Sequence, residues 1–237
     1  MKALELHKWD VSREEAIEIQ KKLLRRLNLT PSFQIKDIKA IAGIDVHFFE
    51  DNSLAAIVVM SFPQLEVLEQ EIAIVKTNFP YIPGLLAFRE APPIIECGKK
   101  LRTEPDILLL DGQGIAHPRR FGIACHIGLI FDKPSIGVAK SWLLGERQGY
   151  PPLPPIPKAK GGIAYLSDGK DIVAIALRSA EGKPPIFISP GHKIDLETSL
   201  KIVKATIKKG DRLPAPLLLA HNLATESTKG GQRKLFL

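Results

Sequence analysis

Three carboxylates stand on separate predicted elements, in positions from which they could share a divalent cation. Asp45 lies in a predicted strand over 39–49, and Asp111 directly follows a short apolar strand over 107–110. Glu90 lies in a helix that begins after the Pro-Gly pair at 83–84. Hard oxygen ligands suit Mg²⁺, which keeps several waters and completes its shell with substrate phosphates. A pair of such ions can activate water and stabilise the leaving oxygen in phosphodiester cleavage.

Each acid also has a purely structural explanation. Alternation along the first strand places Ile41, Gly43, Asp45 and His47 on one face, and that face could simply meet water. Asp111 precedes a glycine and could be a turn residue. Glu90 could be a solvated helical residue. Spacing alone does not prove that the three side chains converge.

The predicted elements that would position these acids follow a recognisable order. A helix over 12–27 precedes a three-stranded antiparallel meander at 39–49, 54–62 and 67–75. The remaining elements are a helix over 85–101 with a kink or restart at Pro92-Pro93, strands over 107–110, 135–139 and 185–188, a hairpin over 163–178 about Asp168-Gly169, and helices over 121–131, 195–209 and 215–227. Asp195 is the expected N-cap of its helix. This order predicts an α/β fold with a mixed sheet flanked by helices on both faces.

Composition narrows the class of protein. The 237 residues are expected to form one domain, with a proline-rich surface loop over 150–157 and a flexible basic tail over 228–237. A net charge of +7 favours an anionic partner, with nucleic acid the leading one. Cys97 and Cys125 have no metal-type spacing and are expected to be buried thiols. Without a signal-like or long apolar segment, we expect a cytoplasmic monomer that does not bind a membrane.

Five ordered stretches carry a resemblance that spans most of the chain. They are Ile-Ala-Gly-Ile-Asp at 41–45, Pro-Tyr-Ile-Pro-Gly-Leu-Leu-Ala-Phe-Arg-Glu-Ala-Pro at 80–92, Asp-Gly-Gln-Gly-Ile-Ala-His-Pro-Arg at 111–119, Ile-Gly-Val-Ala-Lys at 136–140, and Ser-Pro-Gly-His-Lys-Ile-Asp-Leu-Glu-Thr-Ser at 189–199. Together they resemble the endonuclease V family of DNA repair nucleases.

The resemblance implies a ribonuclease-H-like fold, with three antiparallel strands followed by parallel ones. It also implies a Mg²⁺-dependent endonuclease, in which Mn²⁺ is expected to substitute for Mg²⁺. The enzyme would nick the second phosphodiester 3′ to a deaminated base, chiefly hypoxanthine, in double- or single-stranded DNA. The products would carry 3′-hydroxyl and 5′-phosphate ends.

The resemblance also assigns roles to individual residues. Asp45, Glu90 and Asp111 would hold the metal, and Lys140 and His221 would complete the catalytic set. The wedge that enters the duplex would consist of Pro80, Tyr81, Ile82 and Pro83. The lesion pocket and DNA contacts would come from Gly84, Leu85, Gly112, Gln113, Gly114, His117, Arg119 and Gly137, with His192 as a further candidate.

Several of these residues keep another explanation. Tyr81 could pack its proline-rich turn against the core, and Gly112 and Gly114 could serve turn geometry. His221 stands where many members of the family have aspartate, after an apolar lead-in. A histidine there could still transfer a proton near a metal-activated water.

Two other functions remain open at this point. Inosine-containing RNA could be the substrate, because the contacts that read a 2′-hydroxyl cannot be located in the sequence. A lesion-binding protein that does not cut is less favoured, because a cluster of anions repels phosphate unless a metal neutralises it.

Overall fold

The protein is described here by a computed structural model that covers residues 1–144, 153–169 and 171–234. Five α-helices are present among these residues: α1 Arg13–Leu24, α2 Leu86–Lys100, α3 Ile123–Phe131, α4 Leu196–Thr206 and α5 Ala215–Lys234. The strands are β1 Ala40–Phe49, β2 Asn52–Ser61, β3 Val67–Lys76, β4 Ile107–Leu110, β5 Ser135–Ala139, β6 Ile163–Ser167, β7 Ile172–Leu177 and β8 Ile186–His192. In these ranges, no helix has the length and apolarity needed to cross a membrane.

All eight strands form one mixed sheet in the order β3-β2-β1-β4-β5-β8-β7-β6. The β1, β4 and β5 strands run parallel to one another, and the other neighbours are antiparallel. The predicted meander, the parallel strands and the hairpin about Asp168-Gly169 are confirmed. Because β1 and β4 run in parallel, their carboxyl ends meet at one edge of the sheet.

Helices cover both faces of the sheet, which explains the unbroken apolar sequence of β4. Leu108 and Leu110 pack into a cluster with α2 and α3. Ile107 and Leu109 point the other way, into a cluster with α4 and α5. On the α2 side, α1 packs against Phe88 through Ala16. Cys97 and Cys125 are both buried free thiols, as expected, and burial raises the pKa of each to about 12.

Several predicted elements differ from the structure in continuity or in their bounds. The helix predicted with a kink or restart at Pro92-Pro93 is one continuous helix, α2, with both prolines inside it. The β8 strand extends to His192 instead of ending at 188, because Pro190 sits beside a register shift where its missing N–H is tolerated. The last helix extends to Lys234 instead of ending at 227.

The predicted cap of α4 is confirmed, whereas the proline-rich loop and the tail are only partly described. Asp195 caps α4, with its carboxylate accepting a 2.6 Å hydrogen bond from Thr198 N–H. Leu153–Pro157 has no regular secondary structure, while 150–152 of the proline-rich loop lie outside the described residues. The flexible tail over 228–237 stays a prediction, although the backbone to Lys234 is helical.

Candidate active site at the carboxyl ends of β1 and β4

Asp45 and Asp111 are neighbours at the edge of the sheet. The parallel ladder of β1 and β4 ends with Ile44 opposite Leu110, so the aspartates immediately follow the last pair. The Asp111 N–H donates to Ile44 O at 3.2 Å, which continues the pairing by one residue. Asp45 is only 7% exposed, so its charge lies in a largely dry environment where a partner is required.

Glu90 reaches the same place from α2. Its side chain is 9% exposed and lines one cavity together with Asp45 and Asp111. Burial raises the pKa of Glu90 well above its usual range, and the charges of the two aspartates raise it further. The structure thus brings the three predicted acids together, which their spacing in the sequence could not establish.

Lys140, at the end of β5, partly offsets this negative charge. Its Nζ lies 2.5 Å from Asp111 Oδ2. Burial raises the pKa of Asp111, whereas the ion pair with Lys140 opposes that rise. The lysine side chain is 38% exposed, so its ammonium is positioned between the carboxylates and solvent.

His221 is positioned by the close packing of α5 on β1. A Cβ on Gly43 would lie 2.1 Å from the Pro216 carbonyl carbon, so only glycine permits this approach. Asp45 lies two residues along β1 from Gly43, a rise of about 6.6 Å. His221 lies five residues along α5 from Pro216, a rise of about 7.5 Å. The two side chains therefore meet, with His221 Nδ1 2.8 Å from Asp45 Oδ2.

His47 is a site residue that the sequence analysis did not select. Its Nε2 lies 3.6 Å from Asp45 Oδ2, and its ring meets that of His221 edge to face at a centroid distance of 5.0 Å. The signal was present in the sequence, because alternation places His47 on the same face of β1 as Asp45. One ligand atom from each of Asp45, His47 and His221 lies within 4.8 Å of the others, a spacing that could hold a metal ion.

The predicted wedge forms the outer rim of the cavity, which has a volume of about 340 Å³. Tyr81 is 71% exposed, so it does not pack against the core as the alternative explanation required. Pro80 and Pro83 are exposed, and Ile82 is half-buried. Tyr81, Ile82 and Pro83 line the cavity, so a protruding aromatic stands directly beside it.

His117 and Arg119 hold the wedge segment in place through hydrogen bonds to the backbone at Gly84. Gly84 O accepts hydrogen bonds from His117 Nε2 at 3.0 Å and from Arg119 Nη2 at 2.5 Å. Arg119 Nε also donates to Gln20 Oε1 of α1 at 2.6 Å. Gly84 has φ +83°, a conformation that favours glycine. The two basic residues therefore fix the shape of the wedge segment, and His117 also lines the cavity.

In the glycine-rich loop that follows Asp111, some residues line the cavity and others pack in the core. Gly112, with φ +151°, and Gln113 line the cavity, and Gln113 Nε2 donates to Ser141 O at 3.0 Å. Gly114 instead packs on β8, where a Cβ would lie 2.1 Å from Pro190 O. A Cβ on Gly137 would lie 2.4 Å from Gly114 N. These last two glycines allow close backbone packing behind the loop.

Two further candidates lie away from the cavity wall. Leu85 is buried in the cluster of Phe79 and Phe88, beneath the start of α2. His192 is paired with Ser135 at the start of β5, whereas Lys140 follows its end, so His192 lies at the opposite edge of the sheet. There its Nδ1 accepts a 3.3 Å hydrogen bond from Asn28 N–H. The structure does not bring His192 to the other site residues.

The donor atoms of this site suit a divalent cation. Three carboxylates line the cavity, where burial raises the pKa of Glu90 and the negative charges of Asp45 and Asp111 raise it further. A cation bound among them would replace that repulsion with attraction, and oxygen ligands are those that Mg²⁺ prefers. The residues present therefore fit a hard metal ion.

Comparison with known proteins agrees with this arrangement. The family model described as Endonuclease V matches residues 21–222. A protein named Endonuclease V from Rippkaea orientalis is 45% identical over 226 residues, covering 94% of each chain. The crystal structure of Bacillus subtilis endonuclease V has a TM-score of 0.92 at 33% identity, covering 99% of this chain and 100% of that one.

A structure with nucleic acid is also similar. Endonuclease V from Ciona intestinalis, in complex with a 24mer DNA containing an inosine followed by a ribo-adenosine, has a TM-score of 0.81 at 28% identity. The similarity covers 92% of this chain and 98% of that one. Together these comparisons confirm the predicted ribonuclease-H-like α/β fold.

Proposed function

Because the chain belongs to the endonuclease V family of metal-dependent nucleases, which hydrolyse phosphodiester bonds, we propose that it is a Mg²⁺-dependent endonuclease acting on deaminated DNA. It nicks the second phosphodiester 3′ to a deaminated base, chiefly hypoxanthine, and leaves 3′-hydroxyl and 5′-phosphate ends. One observation carries this proposal: Asp45, Glu90 and Asp111 meet at the wall of a cavity whose rim presents an exposed Tyr81.

The acids and the basic residues around them have separate roles in this reaction. Asp45, Glu90 and Asp111 would hold Mg²⁺, which would supply charge neutralisation at the phosphate and lower the pKa of a water molecule. Lys140 extends from the Asp111 carboxylate toward solvent, where its ammonium can contact a backbone phosphate. His221 is fixed against Asp45 at 2.8 Å and can hold or accept a proton at its other ring nitrogen.

The cavity serves the base that leaves the stack. Gly112 has no side chain and lines the cavity, so the loop backbone can approach a flipped base closely. Hypoxanthine differs from adenine in its six-position oxygen and its protonated N1, groups that backbone amides and carbonyls can read. The basic surface implied by a net charge of +7 favours the DNA backbone and makes binding sensitive to salt.

RNA is a second candidate substrate, and one observation favours it. The DNA bound to the Ciona intestinalis protein carries a ribonucleotide immediately after the inosine. A site that accepts a 2′-hydroxyl beside the lesion could also accept inosine-containing RNA. A protein that only marks lesions is set aside, because the family is one of nucleases.

An oligonucleotide assay tests these proposals together. Inosine-containing DNA and RNA of one sequence, each with an adenosine-containing control, are incubated with the protein and Mg²⁺, Mn²⁺ or EDTA. We expect cleavage of inosine DNA with either metal, at the second phosphodiester 3′ to inosine, and ends that a DNA ligase can rejoin. Cleavage of neither inosine substrate, or equal cleavage of the adenosine controls, would contradict the proposal. Preferential cleavage of RNA would select the second candidate.

The wedge role of Tyr81 leads to a separate prediction. Replacing Tyr81 by alanine removes the ring that would fill the stack after the base leaves, and stacking of this kind contributes about 1–3 kcal/mol per base. We expect cleavage of duplex inosine DNA to fall by about tenfold or more, with a smaller loss on single strands. Tyr165→Ala is the matched control, because that tyrosine is also exposed but lies on β6. Equal losses on duplex and single-stranded DNA would argue against a wedge.

A further inference from the structure

We propose that a second cavity, beside the candidate active site, binds an unpaired nucleobase of the lesion-bearing DNA strand on the 3′ side of the cleaved bond. Trp142, Phe187 and the Pro184-Pro185 pair line this cavity. The inference rests on the proposed nuclease function and extends it, because it adds a binding site for a second base and favours single-stranded substrates.

The second cavity adjoins the first at the end of β5. Lys140 and Ser141 line both cavities, whereas Leu143 lines the first and Trp142 the second. Their volumes are about 340 and 370 Å³. The second cavity is therefore as large as the one proposed for the flipped base.

The wall of the second cavity suits a flat, uncharged ring. The Trp142 and Phe187 rings are stacked, with centroids 5.9 Å apart and planes inclined by 29°. Phe187 is only 5% exposed and supports the half-buried Trp142 from the core side. Among the described residues that line this cavity, Lys140 is the one charged side chain. An aromatic wall beside a single cation fits a nucleotide, because every base can stack and its phosphate is an anion.

Arg212 holds the two sides of the second cavity together. Its Nε donates to Pro184 O at 3.0 Å, and its Nη2 donates to Pro185 O at 2.9 Å and to Lys140 O at 3.0 Å. The ladder between β5 and β8 joins the same two segments. The cavity is thus formed before DNA arrives, which reduces the entropic cost of binding.

The order of the two cavities sets the direction of the strand. In the proposed reaction the lesion occupies the first cavity, and the cleaved phosphodiester lies at Asp45, Glu90 and Asp111. Lys140 Nζ lies 2.5 Å from Asp111 Oδ2, between that carboxylate and the second cavity that it also lines. Because the cleaved bond is 3′ to the lesion, a strand that continues past Lys140 brings a nucleotide beyond that bond to Trp142.

This position favours single-stranded DNA. A base in a duplex must leave its partner and its stack before it can reach Trp142, whereas a base in a single strand is already unpaired. Loss of the Trp142 ring should therefore reduce cleavage of single strands more than cleavage of duplexes. The expectation for Tyr81 is the reverse, so the two aromatic residues can be distinguished with one pair of substrates.

Removing single bases from the DNA tests the cavity without altering the protein. Single-stranded inosine oligonucleotides, each with one abasic nucleotide on the 3′ or 5′ side, are bound to the protein in EDTA, and affinity is measured by fluorescence anisotropy. We expect an abasic nucleotide at one of the first two positions beyond the cleaved bond to weaken binding by about 5- to 150-fold, the range for one base stacked on an aromatic ring. Abasic nucleotides at the same distances on the 5′ side should have smaller effects.

The Trp142→Leu variant should bind the complete oligonucleotide as weakly as the unaltered protein binds the sensitive abasic one, and it should no longer respond to that missing base. Trp142→Phe retains a ring and should recover most of the response, which separates stacking from altered packing. Trp9→Phe is the matched control, because Trp9 is the only other tryptophan and packs against the cluster of Phe79 and Phe88. In this control the emission of Trp142 should be quenched by the complete oligonucleotide and less by the abasic one.

The absence of a sensitive position on the 3′ side, or an equal response in Trp142→Leu and the unaltered protein, would overturn the proposal. Cleavage of the complete oligonucleotide by the unaltered protein with Mg²⁺ is measured separately. Cleavage without a response to missing bases would contradict the second cavity alone, whereas no cleavage of inosine DNA would contradict the nuclease function.

Discussion

Replacing Asp45 by asparagine should reduce Mg²⁺-supported cleavage of inosine DNA by at least about 10³-fold, or about 4 kcal/mol of transition-state stabilisation. Asparagine keeps the volume of a side chain that is 7% exposed, but removes the charge that Asp45 would supply to the metal. It also removes the anion against which His221 is fixed. The expected loss is in the cleavage step, measured by single-turnover kinetics with saturating protein.

Binding to DNA should not fall in the same variant. Without a metal, the carboxylate cluster repels phosphate, so removing one charge should leave DNA affinity in EDTA equal or higher. Asp51→Asn is the matched control, because Asp51 is exposed in the turn between β1 and β2. If Asp45→Asn cut within tenfold of the unaltered protein, or Asp51→Asn lost as much activity, Asp45 would not be a metal ligand in the reaction.

Replacing Glu90 by glutamine should change how stability depends on pH in the metal-free protein. Burial and the two nearby aspartates raise the pKa of Glu90 in the folded state, whereas the unfolded chain has the ordinary value of about 4.3. Between these two pKa values the folded state holds more protons than the unfolded state. The free energy of unfolding therefore falls as pH rises through this window, by up to about 1.4 kcal/mol per pH unit.

Glutamine is neutral at every pH and removes this contribution. We expect Glu90→Gln in EDTA to be more stable than the unaltered protein at pH 7 and to match it near pH 4, measured by urea denaturation. Groups that do not interact with residue 90 titrate alike in both proteins and cancel in the difference. Mg²⁺ should stabilise the unaltered protein more than the variant, because the ion replaces the proton on Glu90.

Glu96→Gln provides the control on the same helix. The Glu96 side chain is 52% exposed and forms a surface ion pair with Lys99, so its loss should change stability by less than about 1 kcal/mol. A Glu90→Gln variant less stable than the unaltered protein at pH 7 in EDTA would show that Glu90 is not held under charge repulsion.

Much of the architecture was predictable because it depends on local patterns. Alternation in β1 fixed which residues share a face, and the unbroken apolar run of β4 indicated a strand covered on both sides. Asp195 and the Asp168-Gly169 turn marked a helix start and a hairpin through their own hydrogen-bonding and conformational preferences. Continuity at prolines was not predictable, because whether a missing N–H interrupts α2 or β8 depends on neighbours distant in sequence.

Motif spacing also named most of the candidate site, but it could not assign each residue its contacts. Arg119 and His117 belong to a motif that suggested DNA contacts, and the structure adds hydrogen bonds from both side chains to Gly84 O, which the motif did not indicate. The absence of a side chain at Gly114 suggested space for a base, yet Pro190 O lies where a Cβ of residue 114 would be. His192 lies in a matching stretch but at the far edge of the sheet. Such contacts join residues 33 to 164 positions apart, and no local pattern records them.

The sequence by itself determined the elements, the three acids and the kind of fold, because hydrophobic periodicity and residue chemistry are local properties. Only the tertiary structure decided that Asp45, Glu90 and Asp111 meet, since that depends on parallel pairing of β1 with β4 and on the position of α2. It alone joined His221 to Asp45, because the helix can reach the strand only where Gly43 leaves space for Pro216.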